Sequence, residues 1–226
     1  MLDAGAVAPS DAGFNPDVQV AGPPDAALAN DAQPVSSSSC ADDSLLLCLT
    51  FEGAVADGSP QRRATSAIGV TLVPGSGGSA DLAAKFGGGS ESFISVSDTQ
   101  GFATSVITVE LDIRPDAFSA GRMGLFDSDG WLGLFLLPSG QINCRAGAAS
   151  LVAGENVSFG AWQRVGCVWD GRTLAIYING RRVARENDVL PTAYIAPVVR
   201  VGSNSPSGDG FVGLMDNVRV WSRASF

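Results

Sequence analysis

Between residues 105 and 115 apolar and polar positions alternate without a break: Ile107, Val109, Leu111 and Ile113 fall on one face, and Thr108, Glu110, Asp112 and Arg114 on the other. A side-chain period of two marks a half-buried strand, so this segment predicts a strand with an apolar core face and an acid-bearing outer face. The same period runs through residues 162–183. Gln163, Val165, Cys167 and Trp169 oppose Trp162, Arg164, Gly166 and Val168, and Leu174, Ile176 and Ile178 repeat the pattern. Asp170-Gly171 and Asn179-Gly180 punctuate these runs with residues that accept the positive φ of tight hairpin turns, which predicts a three-stranded meander.

Weaker signals complete the chain. Leu45, Leu47, Leu49 and Phe51 alternate with Leu46, Cys48, Thr50 and Glu52, a strand buried on both faces that turns polar on one at its end. Residues 53–67 read as loop, 69–73 as a short strand and 74–80 as a glycine-serine loop, followed by strand signals at Phe86 and 92–97. Segments 122–126, 131–137 and 141–146 read as strands parted by Asp127-Ser128-Asp129-Gly130 and Pro138-Ser139-Gly140. Residues 150–159 read as a connection, 198–201 as a short strand and 203–210 as a loop. In the last strand, 211–222, strict alternation places Leu214, Asp216, Val218 and Val220 on one face and Met215, Asn217, Arg219 and Trp221 on the other, which sets Asp216 among apolar neighbours. No segment holds a helical period beyond two turns. The expectation is an all-β, two-sheet antiparallel β-sandwich over residues 40–226.

Composition changes this picture at the N-terminus. Residues 1–39 are rich in Asp, Ala, Pro, Gly and Ser, with few apolar side chains to offset the roughly 1–2 kcal/mol of backbone entropy lost per ordered residue, and are expected to form a disordered acidic spacer. The 226-residue chain carries a net charge of −9 and contains no histidine. Without a basic cluster to track phosphates, nucleic acid and anionic membrane surfaces are poor candidates as partners. Without imidazole, Ser-His and Cys-His nucleophiles and imidazole metal ligands are excluded as well.

Cys40, Cys48, Cys144 and Cys167 lack the paired short spacings of a zinc site, and their even number in a turn-rich chain points to disulfides and an oxidising compartment. No apolar run approaches the roughly 20 residues of a membrane span. Met1-Leu2-Asp3 does not begin a signal peptide; export, with a lipid anchor upstream of this chain, is the reading that reconciles the disulfides with the spacer.

Five motifs occur in order: 47–53 (Leu-Cys-Leu-Thr-Phe-Glu-Gly), 107–115 (Ile-Thr-Val-Glu-Leu-Asp-Ile-Arg-Pro), 162–167 (Trp-Gln-Arg-Val-Gly-Cys), 176–180 (Ile-Tyr-Ile-Asn-Gly) and 213–224, which contains Asp216-Asn217-Val218-Arg219-Val220-Trp221. Together they resemble the laminin-G-like, concanavalin A-like jelly-roll domains of bacterial surface proteins, over about 40–226. The resemblance implies a jelly roll of the lectin/glucanase type with first and last strands paired. It also implies a binding role for glycan or surface protein, sometimes with calcium, outside the cytoplasm. The cysteines then pair most economically as Cys40 with Cys48 and Cys144 with Cys167, the second pair linking two strands expected side by side.

Three chemical expectations follow. Glu110-Leu111-Asp112-Ile113 resembles the acid-alternating strand of laminarinase-type glycosidases, but Arg114 and Pro115 stand where a second glutamate is required, so a two-carboxylate mechanism lacks a member. Binding is expected instead, with a divergent glycoside hydrolase or polysaccharide lyase and a purely structural or adhesive domain as alternatives. Glu110, Asp112 and an exposed Trp131 are the candidate ligand-binding residues, with Trp162 and Trp221 assigned to packing. If the first and last strands lie antiparallel, Glu52 and Asp216 meet, and two close acids must share a proton or a cation; Ca2+ with loop carbonyls near residues 53–57 is the candidate, and neutralisation by arginine or backbone amides is the alternative. Asp127-Ser128-Asp129-Gly130 begins like a calcium loop, but Pro138 stands at its closing position, which leaves a turn.

Overall fold

The computed structural model describes residues 40–189, 198–204 and 208–226; the expected spacer, 1–39, lies outside them. Among the described residues every regular element is a strand. In chain order these are β1 (Leu45–Leu49), β2 (Thr65–Ile68), β3 (Val70–Gly75), β4 (Gly78–Gly87), β5 (Phe93–Val96), β6 (Ile107–Pro115), β7 (Met123–Ser128) and β8 (Leu132–Leu136), then β9 (Gln141–Ala146), β10 (Ala149–Asn156), β11 (Gln163–Trp169), β12 (Leu174–Ile178), β13 (Arg181–Glu186), β14 (Val199–Val201) and β15 (Val212–Trp221).

They form two antiparallel sheets. One runs β13-β12-β11-β6-β15-β4-β3, with β1 added along β15, and the other runs β10-β9-β8-β7-β14-β5-β2. The first strand therefore does pair with the last, Leu49 opposite Val218 and Cys48 opposite Arg219. The sheets close on one apolar core: Ile107, Val109, Leu111 and Ile113 of β6 and Val165, Cys167 and Trp169 of β11 meet Leu134, Ile142 and Cys144 of the opposite sheet. Burying each large aliphatic side chain contributes about 1.5–3 kcal/mol, which is why the period-two faces dictate the architecture. The meander forms as expected. Asn179 and Gly180 both take positive φ, 51° and 77°, as the tight turn between β12 and β13 requires.

Several expectations need correcting, each for a physical reason. The connection expected at 150–159 is largely the edge strand β10, where Val152 is exposed and the inward row of Ala149, Leu151 and Ala153 is mostly small, so its apolar period is weak. The loop expected at 74–80 shrinks to a turn at Ser76-Gly77, because β3 runs to Gly75 and β4 starts at Gly78. Both expected disulfides are present, with Cα separations of 5.8 Å for Cys40–Cys48 and 6.1 Å for Cys144–Cys167. The second does not join adjacent strands: Cys144 lies on β9 and Cys167 on β11, so it ties one sheet to the other through the core.

Trp131 is not an exposed platform. It is 1% exposed, and its ring meets Trp169 edge-on at 6.5 Å. The turn before β8 points it inward, its N–H donating to the Ser128 carbonyl while its own carbonyl accepts from Gly147.

The last correction concerns β15. Asp216 pairs with Asp112 and Arg219 with Glu110, so three steps along β15 match two along β6. This is a β-bulge, and Asn217 absorbs it with φ 51°. One extra residue reverses the alternation. Val218 and Val220 turn into the core, while Asp216, Arg219 and Trp221 share the outer face with Asp112, Glu110 and Thr108.

Candidate functional site

The bulge builds a connected polar network on the outer face of the larger sheet. Asp112 and Asp216 are direct cross-strand neighbours, an arrangement that like charges disfavour. Asn217 bridges them: its Nδ2 donates to Asp112 Oδ2 and to Asp216 Oδ2, both at 3.0 Å, and its backbone N–H donates to Asp216 Oδ1 at 2.6 Å. Arg219 Nη2 donates to Asn217 Oδ1 at 3.0 Å. From β11, Arg164 grips Asp112 with two parallel bonds, Nε to Oδ1 at 2.8 Å and Nη2 to Oδ2 at 3.0 Å, the paired geometry that makes arginine–carboxylate contacts strong and directional.

Burial sets the charges. Asp216 is 2% exposed. Loss of hydration pushes its carboxyl up to about 7, opposed by the Asn217 N–H and reinforced by the negative charges of Asp81, Asp112 and Glu52. Glu110 is raised by burial too, against the pull of Arg164 and Arg219, and its Oε1 has no hydrogen bond although Arg164 Nε stands 3.8 Å away. Arg219 is lowered by burial, and Arg164 is raised by its bond to Asp112.

This network forms one side of a cleft of about 340 Å³, lined by Asp112 and Arg164, by Trp162 and Gln163 at the entry to β11, by the Asn179-Gly180 turn and by Ser76 from the β3–β4 turn. Asn179 Oδ1 accepts the Arg164 backbone N–H at 2.9 Å, so the meander turn fixes the strand that carries Arg164. Trp162 is half-buried.

The candidate residues therefore fall in different places. Glu110, Asp112 and Asp216 come together, but Glu110 and Asp216 are sealed, and of the three Asp112 lines the cleft. Trp131 lies with Arg122, Phe135 and Arg145 beside a smaller hollow of about 230 Å³ on the other sheet, away from Glu110 and Asp112. Sequence reasoning assigned Trp162 to packing and Asn179 to a turn, and did not single out Arg164. The pattern did place Arg164 on the Trp162 face of β11, but only the register of β11 against β6 sets it opposite Asp112.

Glu52 follows the end of β1 on an exposed loop. Its charge reaches Asp216, yet among the described residues no group of three or more Asp, Glu, Cys or His side chains is arranged to hold a metal ion. Calcium takes six to eight oxygens, and each Asp216 oxygen accepts one hydrogen bond from Asn217.

The strand order, the paired first and last strands and the motifs on β6, β11 and β15 all belong to one pattern. The model of the concanavalin A-like lectin/glucanases superfamily matches residues 87–225. The chain belongs to this superfamily. No curated protein sequence matches it. Among solved structures, this superfamily member resembles the binding domain of Paraclostridial Mosquitocidal Protein 1, with TM-score 0.66 and 16% identity over 80% of this chain and 49% of that one. It also resembles Domain 4 of AbnA, a GH43 extracellular arabinanase from Geobacillus stearothermophilus solved with arabinotriose, with TM-score 0.62 and 18% identity over 81% and 94% of the two chains. A Trypanosoma rangeli sialidase matches with TM-score 0.62 and 16% identity over 80% of this chain and 31% of its own. The chain thus spans about half of the mosquitocidal binding domain.

Proposed function

We propose that this domain is a non-catalytic recognition module that binds a glycan in the Trp162 cleft. The observation that carries the reading is the half-buried indole of Trp162 beside the held Asp112–Arg164 pair. An indole face offers flat apolar surface to the C–H side of a sugar ring, and the guanidinium retains N–H donors beyond those given to Asp112. Because that pair is already fixed, a ligand has little side-chain freedom left to arrest. The cleft volume falls within the range of small-ligand sites. The arabinotriose complex of Domain 4 of AbnA supports a saccharide as the ligand class.

Catalysis is disfavoured because Glu110 and Asp216 are sealed, both Asp112 oxygens are engaged, and Arg114 and Pro115 replace the missing acid. Two disulfides support display in an oxidising compartment, as an exported surface or secreted protein. Among the described residues no helix is long and apolar enough to cross a membrane.

The test is a glycan array followed by calorimetric titration of its neutral hits. Trp162→Ala should weaken binding at least about tenfold, or about 1.4 kcal/mol, in a variant shown to be folded by its circular dichroism. Equal affinity of wild type and variant, or an array without a neutral hit, would overturn the proposal.

A further inference from the structure

A separate pocket of about 310 Å³ opens on the outer face of the same sheet, where β11, β12 and β13 form its edge. The strand register dictates its lining. One cross-strand row runs Val168–Ala175–Arg185 and the next Gly166–Tyr177–Arg182. Val168 and Ala175 make a small apolar floor. A Cβ on Gly166 would collide with the Phe226 ring, and its absence lets that ring lie parallel to Tyr177, centroids 4.2 Å apart and planes 7° from parallel.

Charge is what makes the pocket unusual. In a chain of net charge −9, three arginines line it: Arg182, Arg185 and Arg223. Nearby arginines have acids of their own: Arg172 with Asp188, Arg181 with Glu155 and Arg223 with Asp42. Arg182 and Arg185 make no ion pair or side-chain hydrogen bond among the described residues. The lining acid, Asp170, accepts the Arg172 and Thr173 N–H groups of its own turn, at 2.9 and 2.6 Å. Two unmatched guanidinium forks on adjacent rows repel each other and suit a planar oxyanion.

We infer that this pocket binds the carboxylate or sulfate group of an acidic saccharide, Arg182 and Arg185 holding the oxyanion while the Tyr177–Phe226 stack covers the sugar ring. Arg185 is exposed and Arg182 half-buried, so both can reach a ligand arriving from solvent. The site does not depend on the Trp162 cleft.

Calorimetric titration of the full chain with a galacturonate hexamer, a heparin-derived hexasaccharide and neutral maltohexaose tests this and separates carboxylate from sulfate. At least one acidic ligand should bind about tenfold tighter than the neutral one and weaken as salt rises from about 50 to about 200 mM. R182S/R185S should lose about tenfold of that affinity, R182K/R185K, which keeps the charge without the fork, should lose severalfold, and Trp162→Ala should lose none. Should the serine pair fail to fold, the lysine pair and the exposed single variant Arg185→Ser carry the test. Acidic ligands that bind no better than neutral maltohexaose, or arginine variants that bind them like wild type, would overturn the inference. So would loss of acidic binding in Trp162→Ala, because the ligand would then sit in the other cleft.

Discussion

Replacing Asp216 by asparagine should stabilise the domain above neutral pH and flatten its pH profile. The carboxyl is raised from its ordinary 3.8 to about 7, chiefly by burial and then by the acids around it. The folded chain therefore holds the proton more tightly than the unfolded chain. Stability from this group is whole below about pH 3.8 and is lost as pH rises through about 7. At about 1.4 kcal/mol per tenfold, the gap corresponds to about 4 kcal/mol, of which about 2–3 kcal/mol falls between about pH 5 and about pH 8. Asparagine keeps one oxygen for the Asn217 N–H and loses the other acceptor, a cost of about 1 kcal/mol. Asp216→Asn should then exceed wild type by about 2–3 kcal/mol at about pH 8, roughly 5–10 °C in melting temperature. Glu110, raised by burial, has the same sign and should leave a residual slope in the variant. Urea unfolding at both pH values, followed by the fluorescence of buried Trp131 and Trp169, measures these quantities. Equal slopes in the two proteins, or a variant less stable than wild type at the higher pH, would refute the assignment of a buried, proton-holding Asp216.

Three further outcomes follow from the same architecture. Replacing Cys144 and Cys167 together by alanine frees a link across 23 positions and should cost about 3 kcal/mol in urea unfolding; a loss under about 1 kcal/mol would mean that core packing, not the staple, holds the sheets together. Arg63 donates to the carbonyls of Leu46, Asp98 and Gln100 at 2.7, 2.8 and 2.7 Å, so Arg63→Met should orphan the buried Leu46 carbonyl, untie the exposed loop at Asp98 and Gln100 and cost about 2–4 kcal/mol by the same assay, whereas a neutral result would show that water replaces the guanidinium. Saturating calcium and EDTA should leave the melting temperature alike; stabilisation of about 2–3 kcal/mol by the metal, as expected well above its dissociation constant, would instead assign a cation to Glu52 and Asp216.

What the chain disclosed and what it hid divide along a physical line. A period of two reports which residues share a face, and it placed the β6 core row, the meander and the outward position of Glu110 and Asp112 correctly. It cannot report which sheet a face belongs to: Cys144 and Cys167 were expected on strands side by side, and only topology shows that their bond runs between sheets instead. It is equally blind to a bulge. Asn217 takes its left-handed conformation inside a continuous run of strand-forming residues, where asparagine without a following glycine carries no turn signature, yet that one residue moved Asp216 from an apolar face onto a polar one and made it the neighbour of Asp112. The tryptophans follow the same rule. Trp131 lies in the core because of the turn before it, and Trp162 stays half-open because β11 begins only at Gln163. The site therefore arises where regular alternation fails, at a bulge and at strand ends, since a sheet whose alternation held throughout would have buried Asp216 in the core, where an unpaired carboxylate is least tolerable.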